Sequence, residues 1–337
     1  MQNRLERVRW AILKILAQQT EPCGASRLRP ILRGMGIDLE ARTIRFHLHA
    51  LDGLGLTRCP ARRRGREITA AGREEVRHAP VFEKVGFFRN RLDTLACQMQ
   101  WDGERGRGWV GANAAELDYR DLSRAVFIME PVFQRQLAYG DRARVEGSPG
   151  RSGWTGHRVR IHVVDSSVIV GLCLQRGIPL IPRYGALAEI RDRVPHRLLE
   201  MIDYQGCSMD PVELFIRARM TTVQACVEKG RGVVGVAFYE YPSVRDEAIR
   251  GLVRQMERKG LGGVVWVGSP SEPMLGVPVG EGRTGMLVLS GLNALAILVE
   301  AGVPVEIQSL CGLEELSAFQ SFTELALLGR RRNVYVE

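Results

Sequence analysis

Apolar residues in the first 80 positions fall at helical spacing in three short blocks. Leu5, Val8, Ile12, Ile15 and Leu16 recur at three- and four-residue steps, which predicts an amphipathic helix ending near Ala17. Pro22 and Gly24 break it. A second helix is predicted over 25–33, with Leu28, Ile31 and Leu32 inward, and Gly34 and Gly36 stop it. A third opens at Asp38 or Glu40 and turns Ile44, Leu48 and Leu51 inward. Its other face is expected to show Arg42, Thr43, Arg45, Phe46, His47 and His49. Two short β-prone segments follow, 57–59 and 67–69, joined by a link carrying Arg62, Arg63, Arg64 and Arg66. Three helices and a hairpin with an Arg-rich tip predict a winged helix-turn-helix domain over 1–80.

The pattern then changes. Leu92, Leu95, Ala96 and Met99 form one stripe on a connecting helix within 81–101, fit either to pack on the body or to join two copies. From 102 to 329, strands alternate with helices. Strands are expected near 109–113, 142–145, 158–163, 232–238, 263–267 (buried), 286–289 and 303–307. Helices are expected at 119–137, disturbed near Pro131, and at 243–259 and 291–301. This alternation predicts an α/β (α+β) body. The period of two over 158–163 puts His162 on the polar side, as a surface residue and not a ligand. Two apolar runs each end in Gly, a β-branched residue and Pro: Gly177, Ile178, Pro179 and Gly302, Val303, Pro304. They point to an internal duplication of two similar halves. Residues 330–337 form a basic tail.

Charge sharpens the division. The net charge is +9, and residues 1–80 hold 16 Lys and Arg against 8 Asp and Glu, whereas 81–337 hold 31 against 30. A polyanion is therefore expected to meet the first domain, with Arg42, Thr43, Arg45 and His47 near base edges and Arg62, Arg63, Arg64 and Arg66 on phosphates. The seven cysteines are scattered, with neither zinc spacing nor a disulfide framework. No run of 18 apolar residues and no apolar leader core occur, so the expectation is a cytoplasmic protein without a membrane span. Nucleophile-elbow, zinc-protease, phosphate-loop and dinucleotide motifs are missing, which lowers the expectation of an enzyme.

Between 166 and 222, turn formers and single polar residues interrupt apolar runs. Ser166, Ser167, Arg183, Tyr184, Gly185, Tyr204, Ser208, Asp210, Arg219 and Thr221 are the candidate effector-binding residues. Arginine forks and helix N-termini both suit carboxylates, so a small dicarboxylate fits this set. Ser208 or Asp210 is expected to cap a helix opening at Pro211. Asp165 is an acid beside that set and opposes a dianion.

Gly177-Ile178-Pro179, Pro182-x-Tyr184-Gly185, Ile202-x-Tyr204-x-Gly206 and Ser208-x-Asp210-Pro211-x-Glu213 resemble the core of the NrpR nitrogen-assimilation repressors of methanogenic archaea. Gly276-Val277-Pro278-Val279 and Gly291-x-Asn293 continue the resemblance, which spans about residues 1–316. It implies a repressor that binds operator DNA and leaves it when 2-oxoglutarate binds its regulatory domain. A homodimer is expected because winged-helix proteins commonly read two half-sites, and no cofactor is expected. Two other readings stay open: a metabolic enzyme with a DNA-binding autoregulatory domain, and a dimerisation or partner-binding module without a ligand.

Overall fold

The inward stripes of the first 80 residues meet in one small core. The computed structural model describes residues 2–17, 19, 22–34, 37–60, 65–77, 87–102, 106–147, 157–192 and 194–332. Contacts divide the chain into two units, Met1–Glu83 and Lys84–Glu337.

In the first unit, α1 (Gln2–Ala17), α2 (Ala25–Gly34) and α3 (Ala41–Gly53) enclose Ile12, Leu16, Leu28, Leu32, Ile44 and Leu48. Ile31 is exposed, because Leu28 and Leu32 already set the inner stripe of α2. Strands β1 (Thr57–Arg58) and β2 (Glu67–Ile68) pair antiparallel, and α4 (Ala70–Arg77) follows. The wing gains a third extended segment from the α1–α2 link. There Cys23 N donates to Arg66 O at 2.8 Å and Arg66 N returns to Cys23 O at 3.0 Å. Gly65 makes this approach possible. Its φ is +90°, and a Cβ there would lie 2.6 Å from the Cys23 carbonyl carbon. At the end of α3, Asp52 accepts from Thr57 Oγ1 at 2.7 Å and from Arg66 Nε at 2.9 Å, which ties the helix to the base of the wing.

The second unit starts with α5 (Phe87–Gln98), whose Phe88, Leu92 and Ala96 join the core formed with Ile169 and Leu172. The predicted stripe therefore packs on the body. After β3 (Gln100–Asp102) the chain runs one plan twice. The first pass is β4 (Arg107–Asp118), a 3-10 turn, α6 (Leu122–Gln134), β5 (Arg142–Glu146), β6 (Arg158–Val164) and α7 (Val168–Gln175). The second is β9 (Gly232–Pro242), a 3-10 turn, α10 (Asp246–Glu257), β10 (Val264–Pro270), β11 (Arg283–Leu289) and α11 (Asn293–Glu300). Corresponding turns use the same bonds. Asp165 N donates to Gly111 O at 2.8 Å, and Ser290 N to Gly235 O at 3.0 Å. Gly177 and Gly302 take φ of 64° and 68° and end their helices with six-residue closing bonds, Ile178 N to Cys173 O and Val303 N to Leu298 O, both 2.9 Å.

Each pass then sends its next strand into the other pass's sheet. β7 (Ile181–Arg191) pairs with β9, and β12 (Val305–Glu315) pairs with β4. The sheets run β12-β4-β6-β5-β13, with β3 on β4, and β10-β11-β9-β7-β8, where β8 is Val194–Asp203 and β13 is Gln320–Ser321. Two short helices, α8 (Pro211–Arg217) and α9 (Val223–Lys229), follow β8, and α12 (Phe322–Arg332) follows β13. Helix α12 takes in the start of the predicted tail; residues 333–337 lie outside the described residues. Asn293 secures the second pass: its Oδ1 accepts from Gly235 N at 2.8 Å, and its Nδ2 donates to Leu137 O and Gly235 O, each at 2.9 Å.

Several local expectations change. Asp118 caps a 3-10 turn at Tyr119–Asp121, so the regular helix starts only at Leu122 and continues through Pro131 to Gln134. The strand expected to be buried near 263–267 is the edge strand β10, paired on one side and exposing Val265 and Trp266. His162 is buried, 4% exposed, because β5 and β12 bring Glu146 and Glu314 over it.

Candidate nucleic-acid interface and ligand-sensing cluster

On α3, Arg42, Thr43 and Arg45 are exposed, and Phe46 stands beside them at 61% exposure. Arginines suit the paired acceptors of guanine, and an exposed Phe suits a thymine methyl. Sequence reasoning placed Phe46 on this face without giving it a role; its signal was a large apolar side chain directly after the outward Arg45.

Two residues leave the predicted interface. His47 is 2% exposed, one step from Leu48 on the stripe that holds Ile44 and Leu51. Burial, then the charge of Arg9, lowers its pKa, so it is a core imidazole and not a base contact. Arg66 is half-buried and ion-paired through Nε to Asp52, so its guanidinium braces the wing. Arg62, Arg63 and Arg64 lie outside the described residues.

In the second unit, the turn between β6 and α7 carries Asp165, Ser166 and Ser167, all buried. Asp165 Oδ1 accepts from Ser167 N at 2.8 Å, and Ser166 hydrogen-bonds the Tyr239 hydroxyl from β9. Asp210, not Ser208, caps α8, accepting from Val212 N at 2.8 Å; Ser208 is exposed. Pro211 follows at the first helical position and brings the cap against β7. A Cβ on Gly185 would lie 2.7 Å from Pro211 Cβ and 3.1 Å from the Tyr204 hydroxyl, so this contact requires glycine. Phe88 of α5 stacks on Tyr204 at 5.8 Å between ring centroids. The result is a closed cluster of two carboxyls and two tyrosines. Burial, then the Asp165 charge, pushes the Asp210 carboxyl up to about 8. Burial likewise holds the Tyr204 and Tyr239 hydroxyls well above their ordinary value. Asp210 therefore keeps its proton near neutral pH and can donate it in a hydrogen bond.

The remaining predicted effector residues are dispersed. Arg183 lies 3.9 Å from Glu240, with its Nε unpartnered among the described residues and its guanidinium 5.7 Å from the centroid of the Tyr184 ring. Arg219 and Thr221 line a different pocket of about 370 Å³, beside Thr222 and Glu300. Arg219 takes φ of +55° where α8 ends, the residue at which its closing turn is made. Glu300 accepts from Val223 N at 2.9 Å and Gln224 N at 2.8 Å, so a carboxylate of the protein already holds those amides. Tyr239 was missed in the sequence because it sits inside an apolar strand and meets Ser166 only through the fold. Among the described residues, no helix is long and apolar enough to cross a membrane.

Comparison with known proteins agrees with this architecture. Residues 85–321 match the family described as NrpR regulatory domains NRD1 and 2, and residues 10–76 match a ribonuclease R winged-helix domain. The global nitrogen regulator NrpRI of Methanosarcina mazei is 30% identical over 308 residues, covering 91% of this chain and 95% of that protein. The global nitrogen regulator NrpR of Methanocaldococcus jannaschii is 28% identical over 323 residues, 95% of this chain but 55% of that protein, so the chain spans about half its length. A crystal structure of a nitrogen repressor-like protein from Methanococcus jannaschii shares the fold, with a TM-score of 0.59, 22% identity, and coverage of 69% of this chain and 97% of that one. Regulatory halves that exchange strands, a basic winged helix and a relative matched nearly end to end lead to one conclusion: the chain belongs to the NrpR family, whose members are regulators and not enzymes.

Proposed function

We propose that this chain is a transcriptional repressor of nitrogen-assimilation genes that binds operator DNA through α3 and the wing and is released by a small dicarboxylate such as 2-oxoglutarate. The observation that carries the reading is the outward row Arg42, Thr43, Arg45 and Phe46 on a unit that holds nearly all the net positive charge, joined to an NrpR regulatory unit. A homodimer would present two such helices to two half-sites. For the effector, a protonated Asp210 and the Ser166 hydroxyl supply donors that a dicarboxylate accepts.

One observation favours a second effector. Asp165 beside Asp210 makes the cluster acidic, which suits an amine-bearing ligand better than a dianion. Calorimetric titration of the full chain with 2-oxoglutarate and with glutamine separates the two. Heat from 2-oxoglutarate alone, weakened about tenfold by Ser166→Ala, is the expected result. Binding of glutamine alone supports the acidic-site reading. Silence from both removes ligand sensing from the account.

A further inference from the structure

The polar face of the first sheet holds a side-chain set that DNA binding and effector sensing do not use. His162 lies on β6, and Cys311 and Glu314 lie on β12, with β4 between them. Ala114, directly opposite His162 on β4, carries only a methyl, so side chains from both flanking strands can meet above it. β12 loses its register between Gln308 and Gly312, and Cys311 sits in that irregularity, its carbonyl held by Arg91 Nη2 at 2.9 Å.

The donor atoms of His162, Cys311 and Glu314 all lie within 4.8 Å of one another. His162 is more than nine-tenths buried, and its ring meets both the Cys311 thiol and the Glu314 carboxylate. Glu314 Oε1 is 2.6 Å from Nδ1, so ring nitrogen and carboxylate face a common point. The other ring nitrogen, Nε2, lies 3.1 Å from Glu146. A carboxylate behind a histidine in this way fixes the tautomer that offers Nδ1 to a cation. Arg144 holds the second Glu314 oxygen and also reaches Glu146 at 3.4 Å, which leaves Oε1 turned toward His162.

We propose that His162, Cys311 and Glu314 form a binding site for a zinc-class divalent cation, with Glu146 as the positioning residue for His162. The chemistry of the set selects this class: one thiolate, one imidazole and one carboxylate suit zinc, whereas calcium and magnesium take oxygen donors alone. Around a tetrahedral ion with bonds of about 2.0–2.3 Å the donors stand roughly 3.3–3.8 Å apart, so Nδ1 and Oε1, at 2.6 Å, separate to admit the cation. On binding, the Cys311 thiol passes its proton to solvent, and the thiolate and Glu314 together balance the charge of the cation. A fourth position stays open to water or a ligand, since three protein donors leave a tetrahedral ion incomplete.

The test is titration of the full chain with cobalt(II), whose thiolate charge-transfer absorption reports Cys–metal bonding, followed by displacement with zinc. One equivalent per chain with that absorption is expected, together with a rise in melting temperature on adding zinc. Cys311→Ser should abolish the absorption, and Cys97→Ser, at an exposed cysteine elsewhere, should keep it. Glu146→Gln should weaken zinc binding about ten- to a hundredfold. Because replacing the buried His162 can unfold the chain, Cys311→Ser at a half-buried position carries the decision. No absorption and no thermal shift in the wild-type chain would overturn the site, as would binding that Cys311→Ser leaves unchanged.

Discussion

Replacing Arg42 and Arg45 together with alanine is expected to abolish the preference for operator over random DNA while leaving the fold intact. Both side chains are exposed on α3, whose stability rests on the opposite face, where Ile44, His47, Leu48 and Leu51 are buried. Each well-formed arginine–guanine pair discriminates by about 1–3 kcal/mol, so losing two removes most of the specificity a single helix can supply. Non-specific affinity, which follows phosphate contacts and salt, should fall much less. Fluorescence anisotropy on an operator selected from random sequence, against a scrambled duplex, measures the difference. Phe46→Ala should weaken operator binding without changing salt dependence, since it carries no charge. His47→Ala should act through stability instead, lowering the melting temperature by emptying a core position. Retained operator preference in the double Arg variant would mean that α3 does not read the bases.

Asp210→Asn is expected to stabilise the protein, and more so as pH rises. The buried carboxyl is pushed up to about 8, above its value in the unfolded chain. At a pH below the ordinary aspartate range both states hold the proton, and the group imposes no penalty. Between that range and about 8, the folded state keeps a proton the unfolded state has released, so stability falls by about 1.4 kcal/mol per pH unit. Above about 8 the loss is complete. Asparagine cannot ionise, yet its side-chain oxygen can still cap α8 at Val212 N. Melting temperatures from pH 5 to 9 should fall steeply for the wild type and flatten for the variant. Asp165→Asn should flatten the curve in part, because the Asp165 charge is the second cause of the shift. Parallel curves for wild type and Asp210→Asn would show that Asp210 is not a buried proton holder.

The DNA-binding end was legible because its signals are local. Helical spacing placed Ile44, Leu48 and Leu51, and the charge split marked the unit where a polyanion is expected. Residue type misled at His47, since three-residue spacing from Ile44 carries it to the core side, and spacing had no means of seeing that Asp52 would pair with Arg66. In the body, Gly177 and Gly302 announced the repeat, since a left-handed closing residue before a β-branched residue and Pro is a local signature. The strand exchange between halves was not legible. Nor was β7: Ala186, Leu187, Ala188 and Glu189 favour helix by intrinsic propensity, yet they form an inner strand because β8 and β9 pair on either side. The buried cluster around Asp210 was half legible. Turn chemistry drew attention to Ser166, Gly185 and Asp210, but Tyr239 joins them from a strand that reads only as core. The His162, Cys311 and Glu314 set lay out of view because a period of two assigns faces and cannot foresee what covers them.

Ligand binding in the second unit is expected to lower the affinity of the first for DNA. A ligand does this only through different affinities for the DNA-bound and released states. The most direct measurement is the anisotropy of labelled operator bound to the full chain during titration with 2-oxoglutarate, with glutamine titrated in parallel. The account predicts release by one of these ligands, with operator affinity reduced about tenfold or more at saturation. Operator affinity that stays constant while calorimetry shows the same ligand bound would contradict it.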